Sequence, residues 1–318
     1  MATDPGDRNK ALKKIVLVLL IVIGVPVAGL LALIHAASQP ATDHSRQDLS
    51  EMLLKYEDAS FMTSDGVRLA AWFVFGRPGM PPIILCHDLG GSRSQLVNSA
   101  IALNKAGFPL LLLDFRRHGD SGAARSTFGM DERLDVQAAI AWLRGRRDVQ
   151  AATLGGWGVG MGAYALTLAA IDEPGLKALA LDGLAPSLVA AADRRVKALV
   201  PESLHALVPA TRLLYDPYFR CRLGRFAVFD RLSGLGGRSL LLIAGSEEPE
   251  QFAEERRIYD AIPESADGDK NLLELRRSGM SGLYAEDRVK YDQAIRDFFT
   301  QHMSRAAPPE GALQVIEK

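Results

Sequence analysis

A chain of 318 residues, 48% apolar and 24% charged, has the composition of a globular protein and the length for one large α/β domain. Its formal net charge of -1 argues against a nucleic-acid partner, because no excess of basic side chains exists to meet phosphates. Two cysteines, Cys86 and Cys221, exclude a disulfide framework and a paired-cysteine zinc site; they allow one disulfide only if the fold brings them together.

Residues 15–34 carry no charge and are interrupted only by Gly24, Pro26 and Gly29. As a helix this run is about 30 Å long, the thickness of a bilayer core. It has no polar face, which argues against a buried globular helix, and it exceeds the usual signal-peptide core. The expectation is a single-pass signal anchor over 15–37, with a signal cleaved near Ala36-Ala37-Ser38 as the main alternative. Arg8, Lys10, Lys13 and Lys14 precede the run, whereas Asp43, Asp48 and Glu51, with Arg46, follow it. The positive-inside bias puts the tail 1–14 in the cytoplasm. The large domain is then extracytoplasmic, periplasmic or extracellular, on the cell membrane.

Residues 38–55 are polar, contain Pro40, and read as a linker running into a short helix. The main domain is expected over 56–303. Strands are expected at 70–75 and 83–86, a helix at 94–106 closed by Gly107, and a strand covered on both faces at 109–114. Apolar residues at helical spacing predict a helix over 130–144. A strand at 151–157, a helix at 161–171, a strand at 178–182 and an apolar strand at 239–244 follow. The last strand is expected at 272–276 and a closing amphipathic helix at 291–302. Such alternation requires a mostly parallel, doubly wound sheet with helices on both faces.

Between 184 and 235 the alternation lapses. Pro201, Pro209 and Pro217 punctuate a helical pattern that contains Tyr215, Tyr218, Phe219, Phe226 and Phe229. This stretch reads as a helical cap over the C-terminal edge of the sheet, or else as ordinary connecting helices. The tail 304–318, with Pro308 and Pro309, is expected to be disordered.

The segment Gly155-Gly156-Trp157-Gly158-Val159-Gly160-Met161-Gly162-Ala163 carries most of the chemical information. A strand runs into a tight turn among small residues and then into a helix. That is the geometry of a nucleophile elbow, G-x-S-x-G, whose outer glycines let strand and helix approach around a strained residue. Gly158 and Gly162 fill the outer positions, and Gly160 stands in the middle.

Other segments extend the likeness. Ser64-Asp65-Gly66-Val67-Arg68-Leu69 with Trp72, then His87-Asp88-Leu89-Gly90-Gly91-Ser92, look like the opening strands and oxyanion loop of α/β-hydrolases. Asp114-Phe115-Arg116-Arg117-His118-Gly119-Asp120-Ser121-Gly122 matches D-x-R-x-H-G-x-S-G, and Phe128-Gly129 with Glu132 and Asp135 fits the next helix. The chain resembles the α/β-hydrolase superfamily over 56–302, with serine esterases, lipases, dienelactone hydrolases and prolyl-oligopeptidase-like proteins as the nearest kinds.

The resemblance implies a triad in the order serine, acid, histidine. Gly160 stands at the nucleophile position, Glu248 at the acid position within Ile243-Ala244-Gly245-Ser246-Glu247-Glu248, and Met280 at the histidine position within 278–284. Glycine has no side chain with which to attack a carbonyl, and a thioether is no base near neutral pH. The resemblance further implies oxyanion donors at the backbone N–H groups of Leu89 and Met161, with Asp88 where glycine is usual; a carboxylate there opposes a developing oxyanion.

His87 and His118 are expected to serve loop structure, and His302 to lie far from the elbow. Ser92, Ser246 and Ser281 border the expected cleft, where serines usually cap helices or make turns. No metal cluster is visible and no cofactor is expected. The reading is a membrane-anchored, catalytically impaired relative that binds a small acyl or carbonyl ligand or a protein partner. Hydrolysis of ester or acyl substrates by non-standard residues is the alternative. A remoter one is a dinucleotide site, since Gly158–Ala163 fits G-x-G-x-x-A with Asp182 downstream as a ribose-binding acid.

Overall fold

The computed structural model describes residues 5–41, 54–264, 268–279 and 282–303. Met280, Ser281, the short helix expected before residue 56 and the tail 304–318 lie outside the described residues.

The N-terminal helix runs through α1 (Pro5–Leu19), a π-helical turn (Leu20–Gly24) and α2 (Val25–Ser38). The wider turn sits just before Pro26, whose missing N–H cannot complete an ordinary α-helical bond. Leu12–Ser38 is long and apolar enough to cross a membrane, and its apolar window is not buried in the domain.

Eight strands follow: β1 (Tyr56–Met62), β2 (Arg68–Val74), β3 (Ile83–Cys86), β4 (Leu110–Asp114), β5 (Leu154–Val159), β6 (Leu176–Asp182), β7 (Ser239–Gly245) and β8 (Lys270–Leu275). They form one sheet in the order β1-β2-β4-β3-β5-β6-β7-β8. β2 runs antiparallel to β1 and β4, and every later pairing is parallel. With β3 beside β5 and β5 beside β6, the loop after β3 and the turns after β5 and β6 meet at one edge.

Helices cover both faces, as the alternation requires. α3 (Val97–Lys105) and α9 (Ala285–Met303) pack on one side with Phe108, Trp157 and Phe299. α4 (Glu132–Arg144) and α5 (Met161–Asp172) pack on the other with Val136, Tyr164 and Leu166. Cys86 and Cys221 are both free thiols.

Between β6 and β7 the described chain is helical. It comprises α6 (Leu188–Leu199), a 3-10 segment (Glu202–Leu207), α7 (Val208–Phe219) and two further 3-10 turns. Ala37 of α2 packs with Val196 and Val208 of these helices, flanked by Leu33 and Val200. Gln39 locks on further: its Nε2 donates to the Ser126 carbonyl at 2.9 Å, and its Oε1 accepts from the Ser126 N–H at 3.2 Å. Ser38 and Gln39, at the start of the expected linker, are buried.

Several elements depart from the sequence pattern: β1 has no counterpart among the expected strands, and α9 begins at Ala285 rather than at 291. The strand expected from residue 151 begins at Leu154 and runs to Val159, directly into the elbow. α8 (Pro249–Ala261) has no sequence-level expectation, because it buries only Glu255 and Ile258 and therefore shows no apolar stripe.

Candidate functional site

Gly160 joins β5 to α5 with φ 52° and ψ -111°, a backbone that L side chains adopt only under strain. Its N–H donates to the Asp182 carbonyl at 2.8 Å, and its carbonyl accepts from Tyr164 N–H at 3.1 Å. The flanking glycines are required by close approach. A Cβ at Gly158 would lie 2.6 Å from Ala163 N, and one at Gly162 would lie 2.3 Å from the Cys86 carbonyl oxygen.

Gly160 is different. A Cβ there would meet not backbone but the Asp88 carboxylate, with Oδ1 at 2.0 Å and Cγ at 2.4 Å. Asp88 Oδ1 accepts a 2.8 Å hydrogen bond from Met161 N–H. The backbone group identified from sequence as an oxyanion donor is thus already engaged by an anion of the chain itself. The start of α5 adds the partial positive charge of a helix N-terminus to that bond.

The loop carrying Asp88 is held from below. Phe115 N–H donates to His87 Nε2 at 3.1 Å, which leaves His87 Nδ1–H to donate to the Asp88 carbonyl at 2.7 Å. Gly90 N–H donates to His118 Nε2 at 3.0 Å, and His118 Nδ1 bonds the Arg116 carbonyl at 2.9 Å. Burial, reinforced by His118, pushes His87 down to about 3, so it is neutral; burial lowers His118 as well.

The rest of the D-x-R-x-H-G-x-S-G segment is also framework. Asp114 accepts from Arg93 and from Asp120 N–H, and Arg116 forks onto Asp135 and Asp65. Glu132 accepts from Ser126, from Thr127 twice and from Gly129 N–H. These contacts build loops whether or not a nucleophile is present.

Glu248 is exposed, precedes α8 and lines the pocket above the elbow beside Leu89 and Met161. His302 sits at the opposite end of the sheet, 3.0 Å from Ser239 Oγ at the start of β7. Ser246 donates to the Leu275 carbonyl, and Ser92 is buried.

Sequence reasoning singled out Asp182 only as a ribose-binding acid and missed Glu255; together they form a second layer of acids. Asp182, fully buried, accepts from Gly279 N–H at 2.9 Å and from Tyr291 O–H at 2.8 Å, and Trp157 Nε1 donates to the Tyr291 oxygen at 3.2 Å. Burial, with Asp88 and Glu248 adding like charge, pushes the Asp182 carboxyl up to about 7. Glu255 is pushed up to about 8, again chiefly by burial; Gln251 donates to one of its oxygens and also to Ser278 Oγ. The only sequence signal for this layer is an aspartate ending an apolar strand.

The pocket over the elbow has a volume of about 330 Å³ and is walled by Phe128, Tyr164 and Ala185. Arg194 and Arg195 of α6 face it together with Asp88, Glu248 and Gln251. A wider groove of about 670 Å³ lies on the β1–β2 edge, away from the elbow, and its Arg93 and Asp120 are ion-paired to each other. Among the described residues no group of three His, Cys, Asp or Glu side chains is placed to hold a metal ion. The dinucleotide reading fares poorly in this geometry. Asp182 is sealed inside, and the Asp88 carboxylate lies at the helix N-terminus where a pyrophosphate would have to bind.

No protein-family model matches the chain. An uncharacterised protein of Mycobacterium tuberculosis is 28% identical over 264 residues, covering 79% of this chain and 82% of that protein. Among solved structures, the Pyrococcus furiosus esterase Pf2001 superposes with a TM-score of 0.65 at 20% identity, covering 84% of this chain and 98% of the esterase. The dienelactone hydrolase of Anabaena variabilis gives 0.55 at 19% identity, over 79% and 99%. With the strand order, the elbow and these likenesses together, the chain has the α/β-hydrolase fold.

Proposed function

We propose that this is a membrane-anchored α/β-hydrolase-fold protein that binds a ligand or a protein partner and does not carry out covalent acyl transfer. One observation carries the reading. The Asp88 carboxylate takes both the space of a nucleophile's Cβ and the hydrogen bond that an oxyanion would need. Gly160 supplies no nucleophile, and Met280, at the histidine position, supplies no base. The apolar N-terminal helix and the basic residues before it support a single-pass anchor with the domain on the extracytoplasmic side.

The pocket volume suits a small molecule near the lower end of ligand sites. Its acids and arginines favour an uncharged polar or zwitterionic group over a simple carboxylate, which Asp88 repels. The test uses full-length protein in detergent or nanodiscs with a fluorophosphonate probe and short-chain model esters. Neither labelling nor turnover is expected; labelling of one serine would overturn the reading.

Hydrolysis through non-standard residues keeps one observation in its favour, since a carboxylate does lie at the nucleophile's place. Its Oδ1 nevertheless consumes the Met161 donor, so a carbonyl attacked by Asp88 would find that donor occupied. Ester turnover abolished by Asp88→Asn would establish this second reading instead.

A further inference from the structure

The sheet edge and pocket leave one surface unexplained. Among the described residues, large apolar side chains are strongly exposed on the N-terminal helix, at Met62 and Val289, and at four leucines of the cap. Those four, Leu199, Leu204, Leu207 and Leu213, fall on α6, the following 3-10 segment and α7; Leu213 is 82% exposed. On α7 the buried positions are Val208, Thr211, Tyr215 and Phe219, so Leu213 projects from the opposite face.

These same elements hold the last turns of the apolar helix. Ala37 is buried against Val196 and Val208, with Leu33 and Val200 alongside, and Tyr218 at the end of α7 bonds His35 Nδ1 at 2.9 Å. Length fixes the depth. Leu12–Ser38 is 27 residues, about 40 Å as a helix, whereas a bilayer core takes about 20 residues. The surplus at the C-terminal end is the part sheathed by the cap, which is thereby held at headgroup level.

Charge agrees with that placement. Residues 184–235 contain eight Lys and Arg against four Asp and Glu, in a chain whose overall charge is -1. Arg194, Lys197 and Arg212 are ion-paired with Glu254, Glu250 and Asp193, but Arg220, Arg222 and Arg225, just past Tyr218, are exposed and make no ion pair among the described residues. Exposed apolar side chains and exposed arginines on the same run of helices form the pattern of an interfacial membrane contact.

We propose that the exposed cap leucines Leu199, Leu204, Leu207 and Leu213 rest in an anionic lipid surface, making the cap a second membrane contact beside the anchor. The inference depends on the anchor reading above. It also implies that ligands reach the elbow pocket, which α6 walls, from beside the bilayer. The elements that carry these leucines also hold the end of the apolar helix and have an excess of basic residues, which favours an anionic lipid surface over a second copy of the chain.

The test uses the full-length protein with Cys221→Ser, reconstituted into phosphatidylcholine vesicles with or without phosphatidylglycerol. Cys86 is fully buried, and burial raises its thiol, so it does not label. An environment-sensitive fluorophore is placed by Leu213→Cys or Leu207→Cys, by Val22→Cys within the span, and by Val289→Cys on α9. With brominated lipids the Leu213, Leu207 and Val22 probes are expected to lose most of their emission and Val289 to keep it. Phosphatidylglycerol is expected to deepen quenching at the cap positions.

If Val22 is quenched while Leu213 and Leu207 behave like Val289, the anchor stands and the cap proposal falls. If Val22 is not quenched either, the anchor reading falls with it. A blue shift at Leu213 without bromine quenching means contact with a second copy and also overturns the proposal.

Discussion

Asp88 and Gly160 share one small volume: the carboxylate oxygen at the tip of the oxyanion loop lies 2.0 Å from where a Cβ on residue 160 would be. The bond from Met161 N–H holds Asp88 there at 2.8 Å. Aspartate in the loop and glycine in the elbow are therefore complementary, and either one alone would be awkward. An aspartate facing a serine would clash, while a glycine facing an open hole would leave a helix N-terminus without an acceptor.

This complementarity makes Gly160→Ala a test of coupling. The new methyl forces Asp88 to swing away and sits at a positive φ, so destabilisation of about 1–3 kcal/mol is expected. Paired with Asp88→Ala the cost should be clearly less than additive, because the collision is gone. Gly158→Ala and Gly162→Ala press on backbone instead, at 2.6 and 2.3 Å, and no partner substitution should rescue them. Denaturant unfolding in detergent measures all of these; additivity at the first pair would contradict the geometry.

Restoring a nucleophile should not suffice to restore chemistry. Gly160→Ser with Met280→His is expected to remain inactive toward model esters while Asp88 occupies the Met161 donor. Adding Asp88→Gly should bring turnover above background. Equal activity of the double and triple variants would show that Asp88 does not obstruct the hole.

The buried acids set a pH dependence. Burial raises Asp182 from 3.8 to about 7 and Glu255 from 4.5 to about 8. Each folded value exceeds its unfolded one, so the folded state binds protons more tightly. The stabilisation is complete below about pH 4 and is lost as pH rises through 7 and 8. The melting temperature should therefore fall between about pH 5 and 8. Asp182→Asn should flatten the decline between about pH 4 and 7, and Glu255→Gln the decline between about pH 5 and 8. An unchanged profile in both variants would count against the assignment.

Gln39→Ala tests the clamp between the N-terminal helix and the domain. It removes a reciprocal pair of hydrogen bonds with Ser126, both buried. Loss of about 1–3 kcal/mol is expected from the unpaired Ser126 groups, with faster hydrogen exchange at Ser126. Normal exchange there would mean that residues 38–41 act as a loose linker after all.

Much was legible in the chain because it depends on neighbours in sequence. The apolar run before residue 38, the βα alternation and the glycines around residue 160 are contiguous patterns, and they yield the helix, the sheet class and the elbow. Even the scaffolding role of His87 and His118 follows from the loops in which they occur. α8 was illegible for the opposite reason, since a helix that buries two side chains leaves no period to read.

Residues far apart were decided only by the tertiary fold. Asp88 and Met161 stand 73 positions apart and Asp182 and Tyr291 109 apart, and each pair meets because β3 lies beside β5 and α9 packs back across the sheet. The sequence determined that the elbow has no nucleophile, since that is a matter of which residue stands at one turn. That a carboxylate from another loop fills the vacancy, and that the last turns of the N-terminal helix pack on α6 and α7, depended on strand order and helix packing, which no local spacing encodes.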